Sequence, residues 1–293
     1  MDERPLAAVT MLRDDYDFLQ KWLTHYERLT GRREALYVIA HGPNPRIEEM
    51  AKGASVLTIP HFDNGSQFEP RRRRLFFGLV QGLLAYYQFV VTTDVDEFIV
   101  LDPDAGTDLA GYLRATDFQG AALSPAGFDV VHKPSEEPGA FTFDRPVTEQ
   151  RRHGYLEGAY CKPCIFRTAP LAGGNAHFLN GEPWEVDPNI VLFHLKHFDR
   201  TFGLAMAEKR KDTVLGYEKK ARTHRIGGWH NRDLKLGTTI ARIEEEPAET
   251  WTQDAVAAAA DQMRAAFERE GKFPWAQSQF GPFRIPDRFV GRV

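Results

Sequence analysis

Short apolar runs alternate with longer amphipathic stretches through the first hundred residues of the chain. Four of the runs have the length and composition of strands: LAAVTML (6–12), ALYVIA (35–40), ASVLTI (54–59) and FVVTTD (89–94). The last run lacks polar alternation, as expected for a strand that is covered on both faces. Helical spacing occupies the intervals between the runs, and this strand–helix order predicts a parallel sheet with right-handed crossovers.

Three helices are predicted between these strands. The first covers residues 15–29, with aromatic side chains on one face, Asp14 as its cap and Gly31 at its end. A short helix covers residues 47–53. The third has Pro70 in its first turn, a position that suits proline, and buries a stripe of leucine, phenylalanine and valine side chains.

The pattern loosens after about residue 102. Further strands are predicted for AALSPAGFDVV (121–131), YCKPCIFR (160–167) and PNIVLFHLKHF (188–198), and helices for residues 203–221 and 254–270. The sequence therefore predicts an α/β domain with a mostly parallel, Rossmann-like sheet over residues 1–202 and a helical C-terminal extension packed on it over 203–293.

The composition is that of a globular protein, with 42% hydrophobic and 27% charged residues among 293. A formal net charge of −4 disfavours a general nucleic-acid binder, because such proteins carry a basic excess. No segment reaches the roughly 20 apolar residues of a membrane-spanning helix, and the acidic opening MDERPLAAVTMLRDD does not resemble a signal peptide. A cytoplasmic location is therefore predicted, with peripheral contact to a membrane surface left open.

Three acidic residues, Asp94, Asp96 and Glu97, follow the fourth predicted strand. In open parallel sheets ligands bind beyond the carboxyl ends of the strands, which is where this cluster falls. Asp94 and Asp96 lie two apart, so in an extended segment they would point the same way. Such a pair of hard oxygen donors suits Mg²⁺ or Mn²⁺, and a bound cation would relieve the repulsion between the carboxylates. The alternative is that the acids leave the sheet into solvent, cap a turn or pair with arginines.

Four consecutive arginines, residues 71–74, fall in the predicted first turn of the third helix. Cations are unfavourable at a helix N-terminus, whereas the exposed amides there favour a phosphate or diphosphate. Arg71 and Arg74 are therefore predicted to contact such an anion. The alternative is a solvated basic turn that Glu69 and Asp63 balance.

The only two cysteines flank a lysine in the motif CKPC, residues 161–164. Cys161 and Cys164 are predicted to be packed thiols, with a redox pair or half of a zinc site as the alternatives. Lys162 would face inward from a strand and would then need an anionic partner, either a phosphate or a buried acid.

Several blocks along the chain resemble a bacterial subgroup of the family 2-type glycosyltransferases. They are VTMLRDDYDFLQKWLTHYERLTG near the start, TTDVDEFIV with its D-x-D-E-F motif, YCKPCIFR, GGNAHFL and LFHLKHFDRTF. The likeness covers residues 6–210. It implies a GT-A fold and transfer of a sugar from a nucleotide-diphosphate donor to a glycan or other hydroxyl acceptor, as in polysaccharide biosynthesis.

For a metal site the resemblance implies Asp94, Asp96 and His194 as ligands of Mn²⁺ or Mg²⁺. Asp96 would be the direct ligand, while Asp94 would contact the ribose or a metal-bound water. His197 is the alternative to His194, because two histidines three apart on a strand cannot both reach one ion without a bend. The other histidine would pack in the core or hydrogen-bond to Asp199.

The nucleotide diphosphate of the donor would be contacted by Asp94, Arg71, Arg74 and Lys162. One departure is His41, which stands where many family members carry an acidic residue for the base or ribose. A non-catalytic nucleotide- or glycan-binding relative is therefore an alternative function. A metal-dependent phosphohydrolase, which DVDEF faintly resembles, is the less favoured one.

An inverting reaction needs a carboxylate that deprotonates the acceptor hydroxyl. Glu185 and Asp187 are predicted for this role, because NGEPWEVD combines acids with Trp184, whose ring could stack on a sugar. The other carboxylates that remain open are Asp129, Glu157 and Glu182. His177, after the glycine pair of GGNAHFL, is expected in a loop near the site.

Overall fold

The computed structural model of the chain describes residues 5–61, 65–170, 179, 184–206, 208, 232–271 and 278–293. Over these residues, eleven strands form one sheet. They are β1 Leu6–Leu12, β2 Leu36–His41, β3 Ser55–Ile59, β4 Phe89–Thr92, β5 Glu97–Leu101, β6 Ala122–Val131, β7 His153–Glu157, β8 Ile165–Phe166, β9 Val186–His197, β10 Glu249–Thr250 and β11 Gln279–Arg284. The helices are α1 Tyr16–Thr30, α2 Pro45–Met50, α3 Gly65–Leu83, α4 Leu109–Ala115, α5 Val147–Gln150, α6 Arg232–Glu245 and α7 Gln253–Glu270.

The first half of the sheet is parallel. Strands β3, β2, β1 and β4 lie side by side in that order, and every pairing among them is parallel. Strand β1 is buried along its whole length, because α1 and α3 pack on its two faces. The predicted α/β fold is therefore confirmed, and the acids after β4 lie at the carboxyl end of the parallel strands.

The second half of the sheet is mixed. The two-residue strand β8 joins the halves, pairing antiparallel with both β4 and β6. Strand β6 then pairs parallel with β9 and antiparallel with β7, while β5 runs antiparallel to β9. The predicted parallel order therefore holds for the first four strands and does not extend beyond them. Residues 160–167 form only a short strand where a longer one was predicted.

Helix α1 fixes the segment that carries the acids. Its side chains Trp22 and Tyr26 are fully buried, and burial of an apolar side chain of this size contributes about 1.5–3 kcal/mol. The Trp22 indole donates to the Thr93 hydroxyl at 2.9 Å. The Tyr26 hydroxyl donates to the Glu97 carbonyl at 3.0 Å and accepts from the Ile99 amide at 3.1 Å. The backbone on either side of residues 94–96 is thereby held against the helix.

The ends of α1 match the predicted ones closely. The helix begins at Tyr16, so Asp15 rather than Asp14 occupies the N-cap position, and its side chain makes no capping hydrogen bond. It ends at Thr30, and the predicted Gly31 follows as its C-cap, with a φ of 75°, the left-handed conformation that glycine adopts without strain.

The prediction that Pro70 lies in the first turn of α3 is wrong. The helix begins at Gly65, and Pro70 lies inside it. A proline inside a helix removes the backbone hydrogen bond to the residue four positions earlier, here residue 66, and its ring crowds that carbonyl, yet the helix extends on through Leu83. Residues 71–74 therefore lie beyond the first turn, and the inference from exposed helix N-terminal amides does not apply to them.

The C-terminal stretch contributes strands as well as helices. Helix α7 matches the helix predicted over residues 254–270, and its Val256 and Met263 are fully buried. Strands β10 and β11 extend the sheet beyond β7. Residues 200–206 are helical, and most of the helix predicted over 203–221 lies outside the described residues. The domain boundary at residue 202 stays a prediction.

None of the helices in the described part of the chain combines the length and the apolar character that crossing a bilayer requires.

Candidate functional site

The chain turns between β4 and β5, and this turn carries the three acids. The Glu97 amide donates to the Asp94 carbonyl at 3.1 Å, and β5 begins at Glu97. Asp94 and Asp96 therefore lie in a turn and not in an extended segment. The prediction that their side chains point the same way is wrong, and the two carboxylates have different partners.

Asp94 is held between two cations. Its Oδ1 is ion-paired with Nη1 of Arg72 in a short contact, and its Oδ2 accepts from Nζ of Lys162 at 3.3 Å. Desolvation acts to raise the pKa of Asp94, but the charges of Arg72 and Lys162 outweigh it and hold the pKa far below its usual range. Asp94 is therefore an anion at any physiological pH, and a metal ion would have to replace these two partners.

Lys162 also binds a second, fully buried acid. Its Nζ lies 2.8 Å from Oε2 of Glu97, which accepts from the Asp94 amide at 2.8 Å as well. Burial raises the pKa of Glu97. Burial acts to lower the pKa of Lys162, but the charges of Asp94 and Glu97 outweigh it and raise that pKa above its usual value. Of the two partners predicted for Lys162, the buried acid is confirmed, and the contact with a diphosphate stays a prediction.

Arg72 reaches this turn because it continues the buried stripe of α3. Phe76, Val80 and Leu83 are buried, and Arg72 lies one helical turn before Phe76, with its guanidinium 5.8 Å from the centre of that ring. The predicted residues Arg71 and Arg74 are exposed, off the stripe. The structure therefore brings Arg72 to the acids and does not bring Arg71 and Arg74 there. In the sequence, the apolar stripe was the signal that could have identified Arg72 as the arginine that faces the acids.

Asp96 faces a histidine of β9. Its Oδ2 lies 3.8 Å from Nε2 of His194, and the other nitrogen of that ring donates to Oδ1 of Asp129 at 2.9 Å. The Tyr160 ring stacks on His194 with centroids 3.9 Å apart. Burial alone would lower the pKa of His194, but the Asp129 hydrogen bond and the charge of Asp96 outweigh it and raise the pKa.

A register shift lets one carboxylate bind both histidines of β9. Between Asp129 and Val131 of β6 the pairing moves from His194 to His197, so three residues of β9 face two steps of β6. His197 thus donates to Oδ2 of Asp129 at 2.7 Å. Of the two alternatives for the second histidine, the hydrogen bond to Asp199 is not found, because Asp199 forms a buried ion pair with Arg151. Burial opposes ionisation of Asp129, yet its histidine partners hold its pKa below the usual range.

Two of the three predicted metal ligands are therefore adjacent. Asp96 and His194 present a carboxylate oxygen and an imidazole nitrogen to the same space, and Asp129 fixes the imidazole from behind. Within the described ranges, no group of three or more His, Cys, Asp and Glu side chains is arranged to hold a metal ion. A cation here would take the remaining positions of its coordination sphere from water or from phosphate oxygens.

The predicted catalytic acids lie at the other end of β9. Asp187 is in register with Pro125, whereas His194 is in register with Asp129. The Asp187 carboxylate accepts from the Tyr112 hydroxyl at 2.9 Å and from a backbone amide at 2.8 Å. Glu185 accepts a backbone amide at 2.9 Å. Both carboxylates bind backbone amides there, and the structure does not bring them to the turn at Asp96.

Trp184 does not present its ring to solvent. It is buried, its indole donates to the Cys161 carbonyl at 2.8 Å, and it packs on Phe267 with ring centroids 5.4 Å apart. The prediction that it stacks on a sugar is wrong, since the ring belongs to the core. His177 and Glu182 lie outside the described residues.

Glu157 at the end of β7 is the remaining carboxylate near Asp129. It accepts from the Gln279 side chain of β11 at 2.7 Å. Burial, followed by the charge of Asp129, raises the pKa of Glu157 to about 6. A sequence reading cannot find this property, because it depends on neighbours that are distant along the chain. His41 is half-buried, with its ring 4.9 Å from the ring of His61.

The cysteines are packed thiols, as predicted. Cys161 and Cys164 are both free and buried. The Cys161 sulfur accepts from the Gly127 amide at 3.2 Å, and burial raises the pKa of this thiol to about 12. The two residues do not lie in an extended strand, because a 3-10 turn at Gly158–Tyr160 precedes them and β8 begins only at Ile165.

Comparisons with known proteins yield distant structural likenesses. No family model and no curated protein matches the chain. The chain is similar to a solved structure of the mannosyltransferase PcManGT from Pyrobaculum calidifontis in complex with GDP-Man and Mn²⁺, with a TM-score of 0.32 and 13% identity over 92% of this chain and 79% of that one. It is also similar to residues 1–349 of S. aureus TarS, with a TM-score of 0.35 and 12% identity over 82% of this chain and 73% of that one. At such TM-scores neither likeness carries an argument, and the α/β architecture stands on the strand order itself.

Proposed function

We propose that the chain is a metal-dependent glycosyltransferase that moves a sugar from a nucleotide-diphosphate donor to a hydroxyl of a glycan or other acceptor. The observation that carries the proposal is the pair of Asp96 and His194 beside the carboxyl end of β4, with the His194 ring fixed by Asp129. The D-x-D-E-F motif supports the same conclusion through its resemblance to glycosyltransferases.

The two side chains suit a cation such as Mn²⁺. The Oδ2 of Asp96 and Nε2 of His194 are 3.8 Å apart, a separation that one ion can bridge at ordinary bond lengths of about 2.0–2.2 Å. The Asp129 contact resembles the carboxylate–histidine arrangement that orients metal-binding imidazoles in many proteins. An imidazole ligand favours Mn²⁺ over Mg²⁺.

The cation, when bound, would neutralise the charge that develops on the departing diphosphate. The residues of the chain supply the rest. Asp129 keeps the Nε2 atom of His194 directed at Asp96, and the stacked Tyr160 ring covers one face of the imidazole. Arg72 and Lys162 add positive charge on the neighbouring side of the same turn.

For the proton of the acceptor hydroxyl we favour Glu157 over the predicted Glu185 and Asp187. A general base works best when its pKa lies near the operating pH, and the pKa of Glu157 is about 6. It lies on β7, next to the strand of Asp129, whose charge acts on it. Glu185 and Asp187 instead accept hydrogen bonds from backbone amides of Gln119 and Asn189, away from the turn at Asp96.

The test is a thermal-shift panel of UDP, GDP, ADP, CDP and TDP, each with Mn²⁺ and with EDTA. We expect one diphosphate to raise the melting temperature in Mn²⁺ only, because a ligand that binds the native state stabilises it by mass action. Asp96→Ala and His194→Gln should remove this shift. Asp261→Ala, on the exposed face of α7, should keep it. No shift with any diphosphate, or an undiminished shift in Asp96→Ala, would contradict the proposal.

Turnover separates the two alternative functions. A glycosyltransferase should hydrolyse its donor slowly in the absence of an acceptor and release the nucleoside diphosphate. A non-catalytic relative, which the substitution at His41 motivates, should bind the diphosphate without any turnover. A phosphohydrolase should release inorganic phosphate instead.

A further inference from the structure

Four charged side chains meet on one side of the acidic turn, and their formal charges cancel. Arg72 comes from α3, Asp94 and Glu97 from the turn and Lys162 from the segment before β8. Their exposure differs strongly: the side chain of Glu97 is 1% exposed, Lys162 13%, Arg72 18% and Asp94 35%. Asp94 is therefore the member that solvent and ligands reach most readily.

The two acids hold Lys162 unequally. Glu97 binds it at 2.8 Å and is itself fixed by the Asp94 backbone amide, whereas the Asp94 carboxylate lies 3.3 Å away. Glu97 thus balances the charge of Lys162 from the interior, where an unpaired charge would be costly. Asp94 lies on the outer side and joins Lys162 to Arg72.

We propose that Arg72 and Lys162 form a binding site for the diphosphate of the donor, and that Asp94 is an internal anion that occupies this site until a diphosphate displaces it. Asp94 would then compete with the diphosphate and would not be a metal ligand. This inference rests on the proposed function, and it assigns to Arg72 the contact that the sequence predicted for Arg71 and Arg74.

The exchange follows from the chemistry of arginine, because carboxylates and phosphates both pair with a guanidinium group through charged hydrogen bonds. When the partly exposed Asp94 side chain rotates into solvent, the outer side of Arg72 and Lys162 becomes accessible to a ligand. The negative charge of the diphosphate then replaces that of the Asp94 carboxylate. Neither cation is left without an anion, and Lys162 keeps Glu97 throughout.

The experiment measures binding of inorganic pyrophosphate by calorimetry in EDTA, so that neither the nucleotide nor a metal contributes. Arg72→Gln should weaken the affinity about tenfold or more, as expected for the loss of a charged hydrogen bond. Asp94→Asn should strengthen it about threefold or more, because a competing, partly exposed ion pair is removed. The matched control is Arg74→Gln, an exposed arginine of the same helix, which should leave the affinity unchanged.

A second measurement separates the competitor from a metal ligand. Binding of Mn²⁺ alone, followed by electron paramagnetic resonance, should be retained in Asp94→Asn and lost in Asp96→Asn. In the pyrophosphate experiment, the inference is overturned if Asp94→Asn weakens binding or if Arg74→Gln weakens it as much as Arg72→Gln does. It is also overturned if pyrophosphate binds neither the wild type nor Asp94→Asn. In the Mn²⁺ experiment, it is overturned if Asp94→Asn loses Mn²⁺ as Asp96→Asn does. Arg72→Lys, which keeps the charge and loses the planar fork, should give an intermediate affinity and guards against misfolding of Arg72→Gln.

Failure of the proposed function has a different signature. If pyrophosphate binds as expected while no nucleoside diphosphate gives a shift that depends on Mn²⁺ and Asp96, then the anion site stands and the glycosyltransferase assignment falls.

Discussion

The Asp129 carboxylate accepts a hydrogen bond from Nδ1 of His194 at 2.9 Å, and this contact determines which nitrogen of the ring faces Asp96. With Nδ1 carrying the hydrogen, the Nε2 atom is the one available to a cation once the ring is neutral. The same carboxylate holds His197 at 2.7 Å, so its position is fixed from two directions.

Asp129→Asn should therefore weaken binding of Mn²⁺ about 10- to 100-fold, the usual effect of removing the partner of a metal-binding histidine. The amide keeps the shape of the side chain but no longer enforces the Nδ1–H form of His194. The measurement is a Mn²⁺ titration by electron paramagnetic resonance. Asp187→Asn is the matched control, since it makes the same change in a buried, hydrogen-bonded carboxyl at the far end of β9. Equal losses in the two variants would show that Asp129 has no special role.

Gly127→Ala should displace Tyr160 from the His194 ring. A Cβ atom added at Gly127 would lie 2.2 Å from the Tyr160 carbonyl carbon and 2.6 Å from the Cys161 nitrogen, so backbone must move. We expect a loss of about 1–3 kcal/mol in the free energy of unfolding, together with weaker binding of Mn²⁺. Urea unfolding measures the first effect.

Gly78→Ala is the control for this substitution. Gly78 lies in α3, and an added Cβ atom there meets no heavy atom within 4 Å. The change should stabilise the protein by up to about 1 kcal/mol, because alanine is the better helix former. A Gly127→Ala protein as stable as Gly78→Ala would rule out the close approach at Tyr160.

His25 should make the protein sensitive to mild acid. Its Nε2 bonds the Ile99 carbonyl at 2.8 Å, and burial lowers the pKa of the ring to about 4. The unfolded chain takes up this proton below about pH 6.5 and the folded chain does not, so stability falls as the pH decreases from 6.5 toward 4. Between pH 6.5 and 5 the loss should be about 2 kcal/mol.

His25→Gln retains a donor for the Ile99 carbonyl and cannot titrate. Urea unfolding at pH 7 and pH 5 should therefore give a smaller difference for this variant than for the wild type. An identical difference would mean that other groups cause the acid sensitivity.

Glu157 should have the opposite dependence on pH. Its pKa is raised to about 6, so the folded chain holds this proton more tightly than the unfolded one, and stability falls as the pH rises from about 4.5 through 6. Glu157→Gln removes the effect and keeps an acceptor for Gln279. At pH 8 the variant should be more stable than the wild type by at most about 2 kcal/mol. Contact of the partly exposed carboxylate with solvent reduces this difference.

Urea unfolding at pH 8 and at pH 4.5 checks this expectation, and at pH 4.5 the two proteins should have the same stability. The exposed Glu268 of α7 provides the control, since Glu268→Gln should bring no gain at pH 8. If Glu157 is also the general base, its glutamine variant should lose turnover while it gains stability.

Local patterns were sufficient to predict the first half of the sheet. Strand β1 is predicted and found at the same residues, 6–12, because a fully apolar run between turn residues has few other structures open to it. The position of the acids beyond β4 followed directly from that order. The buried stripe of α3 also contained the information that singles out Arg72, since that arginine lies one turn before Phe76.

The remaining features depend on contacts between distant parts of the chain. The turn at Asp94 is fixed by the indole of Trp22 and the hydroxyl of Tyr26, which no local window contains. The shared partner of His194 and His197 depends on a register shift against β6, and a strand pattern read on its own gives no register. Glu185 and Asp187 were placed near the site by composition alone, and their backbone partners were invisible at that level.

The pairing of β7 with β11 has a consequence for any shortened form of the protein. Glu157 and Gln279 are 122 residues apart, and strand β11 covers one side of β7 with antiparallel hydrogen bonds. A polypeptide truncated after Gly271 would retain the acidic turn and His194. However, the backbone amide and carbonyl groups on that side of β7 would lose their hydrogen-bond partners. An exposed edge strand of this kind can pair with a strand of another chain. Such a fragment should therefore precipitate or self-associate, even though it keeps every acid named in the site.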